Sequence, residues 1–225
     1  MRLPADGRDV ARREDNGKRV RQPTPAAIDG DAAAVVQSRA LQLDDEVWPV
    51  LFADRLPVHR KPVLLRLLRP ADVEAFLAYR SDPEVARYQG WSTMDRAAAS
   101  EFLEDMSGVD GLRPGEWIQL GIADAATGTL CGDVGIHCDE ALERAEIGFS
   151  VARPFQGRGY ASAAVSATLD LLQAVPSIRC VRGVTDARNG PSIRLLERLG
   201  FAKTGVQVAD FKGERCAEYV YERAC

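Results

Sequence analysis

Histidine is scarce in this 225-residue chain, which holds only His59 and His137. The five cysteines (Cys131, Cys138, Cys180, Cys216 and Cys225) are scattered and odd in number, and no two form a Cys-x-x-Cys pair. That pattern speaks against a zinc site and against a disulfide framework, so reduced thiols in a cytoplasmic protein, with no metal, are the expectation. No apolar run approaches the roughly 18 residues that a membrane span needs. Residues 1–21 carry charges but no apolar core of a secretory signal. No membrane partner is therefore expected. The string Gly-x-x-x-x-Gly-Lys-Ser/Thr is absent as well, which sets aside P-loop kinases and ATPases.

What is present is an ordinary globular composition, 46% hydrophobic, with an uneven charge. Residues 1–25 hold seven basic and four acidic groups, a net +3, which leaves −7 for the remainder of a chain whose total is −4. An acidic body suits a cationic amine ligand, although the same charge also serves plain solubility. The basic end suits contact with nucleic acid or the ribosome, but a solvated tail is the simpler account, and nucleic acid is not expected as a partner.

Residues 1–34 are rich in Arg, Asp, Pro, Gly and Ala and have too few large apolar groups to offset the entropy of ordering, so they read as a disordered tail. Residues 35–62 read as a linker or docking segment around the apolar patch at residues 47–52, with Pro49, Pro57 and Pro62 opposing a long helix. A catalytic-size domain follows over residues 63–223. Its first strand is expected at 63–68. A helix follows, capped near Asp72, with Ala75, Phe76 and Tyr79 on its apolar face. Another is expected from Ser92 or Thr93. A hairpin at 117–123 and 130–136 comes next, closed by a Gly-containing turn. Then come a strand at 145–151, a helix at 160–173, a strand at 178–184, a helix at 191–199 and a closing pair at 201–210 and 216–222. Strands first, then a β-loop-α-β-α unit, imply an α/β chain with a mixed sheet.

The most telling stretch is Arg153-Pro154-Phe155-Gln156-Gly157-Arg158-Gly159-Tyr160-Ala161. A strand that ends in a glycine-rich turn opening a helix makes an anion site: backbone N–H groups point outward and the helix end adds about half a positive charge. Glycine lets a phosphate approach the backbone with no Cβ in the way. Two phosphate loops compete for it. A dinucleotide loop needs Gly-x-Gly-x-x-Gly directly after the strand. Here Gly157 and Gly159 fit, Ser162 replaces the third glycine, and Asp186 stands where a ribose-binding acid would. The second pattern, Gln/Arg-x-x-Gly-x-Gly/Ala, is matched in full by Gln156, Gly159 and Ala161.

That second pattern resembles the coenzyme A pyrophosphate loop of the GNAT superfamily of N-acetyltransferases. Three further stretches resemble the same superfamily in the same order. They are Leu64-Leu65-Arg66-Leu67-Leu68-Arg69-Pro70-Ala71-Asp72, then the run from Asn189 through Ser192 to Leu199-Gly200-Phe201, then Glu218-Tyr219-Val220-Tyr221. The branch containing ribosomal-protein N-terminal acetyltransferases is the nearest resemblance. It implies a mixed, mostly antiparallel sheet splayed between two parallel strands and flanked by helices. It implies acetyl-CoA as co-substrate and a primary amine, on a protein N-terminus or a small molecule, attacking directly in a ternary complex. A homodimer is compatible with it.

On this resemblance Gln156, Gly157, Arg158, Gly159, Tyr160 and Ala161 hold the pyrophosphate, and Asn189 and Ser192 meet the cofactor arm. Backbone N–H groups near Phe149 and Val151 polarise the carbonyl. Arg158 reads equally as a solvent-facing arginine, and Asn189 and Ser192 as helix-capping groups. The amine must also lose a proton. Glu146 shares a strand face with Gly148 and Ser150 and is the first candidate base, directly or through water; an orienting or structural carboxylate is the other reading. The tyrosine acid of many superfamily members falls here on Leu196, so Ser192 is the substitute candidate, or the thiolate leaves unaided. Tyr88 and Trp91 either line the acceptor pocket or pack in the core. Two other readings stay open: a non-catalytic acyl-CoA-binding module of the same fold, and a dinucleotide-binding oxidoreductase.

A chain beginning near Gln37 is expected to keep a single cooperative thermal transition, because residues 1–34 bury too little to matter. Loss of that transition would make the tail part of the fold.

Overall fold

The computed structural model describes residues 55–91 and 94–225. The expected tail, the apolar patch at 47–52, and Ser92 and Thr93 lie outside the described residues. Among those described, one eight-stranded sheet runs in the order β1-β2-β3-β4-β5-β6-β8-β7. Its strands are β1 (Val58–Arg60), β2 (Val63–Leu67), β3 (Trp117–Asp124), β4 (Leu130–Cys138), β5 (Arg144–Val151), β6 (Cys180–Asp186), β7 (Ala202–Phe211) and β8 (Glu214–Ala224). Every neighbouring pair is antiparallel except β5 and β6. The helices are α1 (Val73–Arg80), α2 (Pro83–Ala86), α3 (Arg96–Ser107), α4 (Tyr160–Gln173) and α5 (Gly190–Arg198).

Local chemistry accounts for most boundaries. The β3–β4 turn closes because the Asp124 carboxylate accepts from the Ala126 and Thr127 amides at 3.1 and 2.9 Å, an Asx turn. Helix α4 buries Val165, Leu169 and Leu172 along one stripe, at the three- and four-residue spacing of a helix face. Helix α5 is capped by Asn189, carries proline in its first turn, and ends at Gly200, whose φ of +82° suits only a glycine-like exit.

One helix start matches the sequence reading in position only, and another differs from it. Asp72 is the N-cap residue of α1, as expected, but its carboxylate makes no bond to the helix; it takes two bonds from the buried Arg66 guanidinium, each 2.8 Å, and one from the Arg69 amide. A paired arginine is the stronger claim on a carboxylate, and the bidentate geometry locks β2 to the turn that follows it. Helix α3 starts at Arg96 with Asp95 as its cap, accepting from the Ala98 amide at 2.9 Å. Strand β1, which extends the sheet before residue 63, lies in the segment read as linker; with prolines on both sides, its three residues left no periodic signal.

Helices α1 and α3 cover one face of the sheet and α4 the other. The first face is held by a buried ion pair. Arg80 on α1 donates to Asp133 on β4 at 2.7 Å, and both side chains are at most 6% exposed. The guanidinium carbon lies 4.5 Å from the Phe76 ring centre and 4.2 Å from that of Trp91. Burial pushes the Asp133 carboxyl upward, and the charge of Arg80 opposes that push. Taking away the arginine would leave a buried, unpaired carboxylate. Arg80→Met is expected to cost about 3–5 kcal/mol near neutral pH. The folded variant should then bind a proton that the unfolded chain releases, so its deficit should shrink as pH falls below neutrality. Denaturant melts at two pH values check this; a deficit unchanged with pH would mean that Asp133 is not the group left stranded.

Candidate active site

Strand β5 is paired to its two neighbours unequally. It meets β4 from residue 145 to residue 151. It meets β6 only through Arg144↔Cys180, Ala145↔Val181 and Glu146↔Arg182. Beyond that point β6 pairs with β8 alone, and a split opens in the sheet. The Ala152 amide donates to the Cys131 carbonyl at 2.7 Å, which fixes the phase of the antiparallel ladder. Bonded pairs alternate along such a ladder, so Ser150, Gly148 and Glu146 turn their backbone groups to β4. Ile147, Phe149 and Val151 turn theirs into the split.

Strand β5 leads into the glycine loop. Gly157 and Gly159 have φ of +70° and +86°, where a β-carbon is strained, and a Cβ built on either would meet nothing within 4 Å. The space above the loop is open. Gly159 is the N-cap of α4 and has no side chain to cap it. The first-turn amides of this 14-residue helix are thus left for another acceptor. These are the features that the coenzyme A pyrophosphate requires, and the residues present fit that group.

The predicted loop residues divide by role. Gly157, Arg158 and Gly159 are exposed. Arg158 donates to the Pro154 carbonyl at 3.2 Å, its charge near the loop mouth. The Gln156 side chain instead donates to the Val151 carbonyl at 2.8 Å, tying the loop back to β5. Tyr160 is 4% exposed and its hydroxyl bonds Asp124, so only its backbone belongs to the loop, beside Ala161. Asn189 accepts from the Ser192 amide at 3.3 Å as a helix cap, and both residues are buried. Leu196 is fully buried and offers no acid.

Glu146 sits where the split begins, on the sheet face covered by α1. Burial raises its pKa; Arg182, 3.8 Å away across β6, and His137 lower it, and Glu218 raises it. The balance is upward, in the direction that suits a proton acceptor near neutrality. Tyr88 is half-buried under Arg87. Trp91 is 5% exposed, donates its indole N–H to the Arg80 carbonyl at 3.2 Å and stacks on that guanidinium, so its polar atom is already spent in the core. The sequence reading passed over Gln89, between them. It is buried and donates to the Phe149 carbonyl at 3.2 Å. Only the fold connects residues 60 positions apart, so no sequence signal pointed to it.

The dinucleotide reading fails here. The sheet is antiparallel but for one pair, and Asp186 is taken up by Arg188 at 2.9 Å, a bond that holds its carboxyl below the usual range.

A mostly antiparallel sheet, split between its one parallel pair above a glycine loop, defines an acyltransferase fold of the GNAT type. A family model described as an acetyltransferase (GNAT) domain matches residues 63–202, and the chain belongs to that family. The uncharacterized N-acetyltransferase YoaA of Bacillus subtilis is 30% identical over 162 residues, covering 71% of this chain and 86% of YoaA. A GNAT-family acetyltransferase structure from Bacillus anthracis superposes with a TM-score of 0.65 at 22% identity, covering 74% of this chain and 97% of that one. The ribosomal-protein-S5-alanine acetyltransferase of Vibrio fischeri gives a TM-score of 0.61 at 15% identity, covering 74% and 95%. Among the described residues no helix is long and apolar enough to cross a membrane.

Arg182 and Glu146 face each other across the last paired position of β5 and β6. Because Arg182 holds the Glu146 pKa down against burial, Arg182→Met is expected to raise it further. A carboxyl-carbon NMR titration of Glu146 checks this, and an unmoved titration would separate the two residues electrostatically.

Proposed function

We propose that this protein transfers the acetyl group of acetyl-CoA to a primary amine, by direct attack within a ternary complex. The observation that carries the reading is the parting of β5 from β6 immediately before a glycine loop whose helix has no cap of its own. Acetyl-CoA would supply the acetyl group already activated as a thioester. Residues 156–161, through the amides of the loop and of the first turn of α4, with Arg158 beside them, would hold its pyrophosphate. The Phe149 and Val151 N–H groups would serve the carbonyl oxygen as fixed donors, which need no reorganisation as charge develops. Holding both reactants in the split makes the encounter effectively unimolecular.

Glu146 then takes the proton of the amine, directly or through water. Its raised pKa fits that role, and the Arg182 guanidinium beside it favours the ionised form against burial. Asn189 and Ser192, which cap α5 at the far wall of the split, remain candidates to meet the cofactor arm, Ser192 with a proton for the departing thiolate. A protein N-terminus or a small-molecule amine both present the group required. Protein α-amines are the acceptors to try first, given the fold likeness to a ribosomal-protein acetyltransferase. A cytoplasmic setting suits the odd number and scattered placement of the cysteines.

The loss of a phenolic acid at Leu196 favours one other reading, a non-catalytic acyl-CoA-binding module. Turnover with a panel of amines and N-terminal peptides separates the two. For the enzyme, coenzyme A should raise the melting temperature by mass action. Gly159→Val should abolish that rise, since a branched side chain at φ +86° is strained and intrudes on the phosphate path. Glu146→Gln should keep the rise but lower kcat by roughly 10²–10⁴-fold and remove the acidic limb of the pH profile. A higher KM for the amine with kcat preserved would make Glu146 an amine-binding group instead.

A further inference from the structure

Gln89 presents a polar atom that nothing in the fold uses. It lies between α2 and α3, 5% exposed, with its backbone amide bonded to the Ala86 carbonyl. Its side-chain NH2 donates to the Phe149 carbonyl, and a carbonyl can accept only from the nitrogen end, so the orientation of the amide is settled by its partner. The other end, Oε1, is buried without a hydrogen-bond partner. Such groups are rare in folded proteins, because desolvating a carbonyl oxygen and leaving it unpaired costs more than a typical hydrogen bond returns.

The place is as informative as the lack of a partner. Phe149 turns its backbone into the split, just where β6 no longer pairs with β5. The side-chain amide of Gln89 stands in for the missing strand, giving one bond to the β5 edge and offering one acceptor in return. Ser150, the next residue, also buries a hydroxyl oxygen without a partner, on the Glu146 face of the strand. Gln89 approaches from the α1 side, which the Arg80–Asp133 pair ties to that same face. The glycine loop instead opens α4, on the opposite face.

Resting on the acetyltransferase reading above, we infer that Gln89 binds the acceptor: its Oε1 takes a hydrogen bond from an N–H of the incoming primary amine. An amide oxygen can only accept, so its partner must be a donor. The amine is the donor that the reaction must bring to Phe149 from the Glu146 face. The bond uses one N–H while the lone pair of nitrogen stays free for attack, and Glu146 receives a proton from the same nitrogen. Gln89 thereby selects primary amines, which keep a hydrogen for Oε1 and one for the base.

The test compares Gln89→Met, which keeps length and loses both bonds, with Gln89→Glu, which keeps an acceptor oxygen. Amine kinetics are measured at saturating acetyl-CoA, with coenzyme A affinity by calorimetry and folding by thermal melt. Gln89→Met should lower kcat/KM for the amine about tenfold, the worth of one hydrogen bond to substrate, and leave coenzyme A affinity within about twofold. Gln89→Glu should recover part of the loss. Should Gln89→Met not melt cooperatively, Gln89→Asn, which draws the oxygen back by one methylene, should show the same loss. An equal fall in coenzyme A affinity would hand the oxygen to the cofactor and overturn the inference, as would unchanged amine kinetics in a folded variant. Unmutated protein that turns over no amine would instead sink the enzyme reading, and this role with it.

Discussion

Strand β5 is bonded to β4 along nearly its whole length but to β6 at only three positions, and the chemistry of the molecule is organised around that inequality. An edge strand ordinarily faces water, where its peptide groups are satisfied without cost. Here the edge is internal, walled by β6 and β8 on one side and roofed by helices. Its N–H groups are held still by the ladder to β4 and are partly shielded from solvent. Preorganised donors in such a setting act more strongly than the same groups in water, because the surroundings do not have to reorient. The strand that carries them also delivers the chain into the glycine loop, so in the proposed reading one continuous stretch of backbone would place both ends of a long cofactor.

The rest of the fold keeps the split in register. Arg80 and Asp133 fasten α1 to β4, and Arg66 and Asp72 fasten β2 to the turn that begins α1. Neither pair need add much net stability, since desolvating two charges offsets most of their attraction. What each adds is direction: a buried guanidinium accepts few geometries. Arg153 reaches Asp82 at 2.7 Å, and Lys212 donates to the Ala86 carbonyl at 2.8 Å, so the β7–β8 hairpin and the end of β5 both touch the segment around α2. The segment that brings in Gln89 is therefore held from both sides of the split.

How much of this could be read beforehand depended on the range of the interactions. The bounds of α4 and the β3–β4 turn followed from neighbours a few residues apart, and so did the glycine loop. The strand after α4 was placed within about two residues, because its apolar run blurs into the turn before it. Asp72 was legible as the residue that starts α1, but not the use of its carboxylate, which Arg66 claims from six residues away. Trp91 and Gln89 lie two residues apart and have opposite fates, one stacked on Arg80, the other reaching into the split. Their partners come from α1 and β5, and no local pattern distinguishes them.

Gly159 begins α4 with a residue that has no side chain to offer, so the helix is built with its positive end unanswered. A serine or aspartate could not cap the helix from that position, because a φ of +86° is strained for any residue with a β-carbon, so the first-turn amides stay open to an anion. An anion bound there would supply the cap that the chain does not. Local order at the start of α4 thus becomes a function of ligand concentration: the first turn should exchange its amide hydrogens freely in the empty protein and slowly in the loaded one. The helix that anchors the back of the sheet would then also report, at its exposed end, whether the loop is filled.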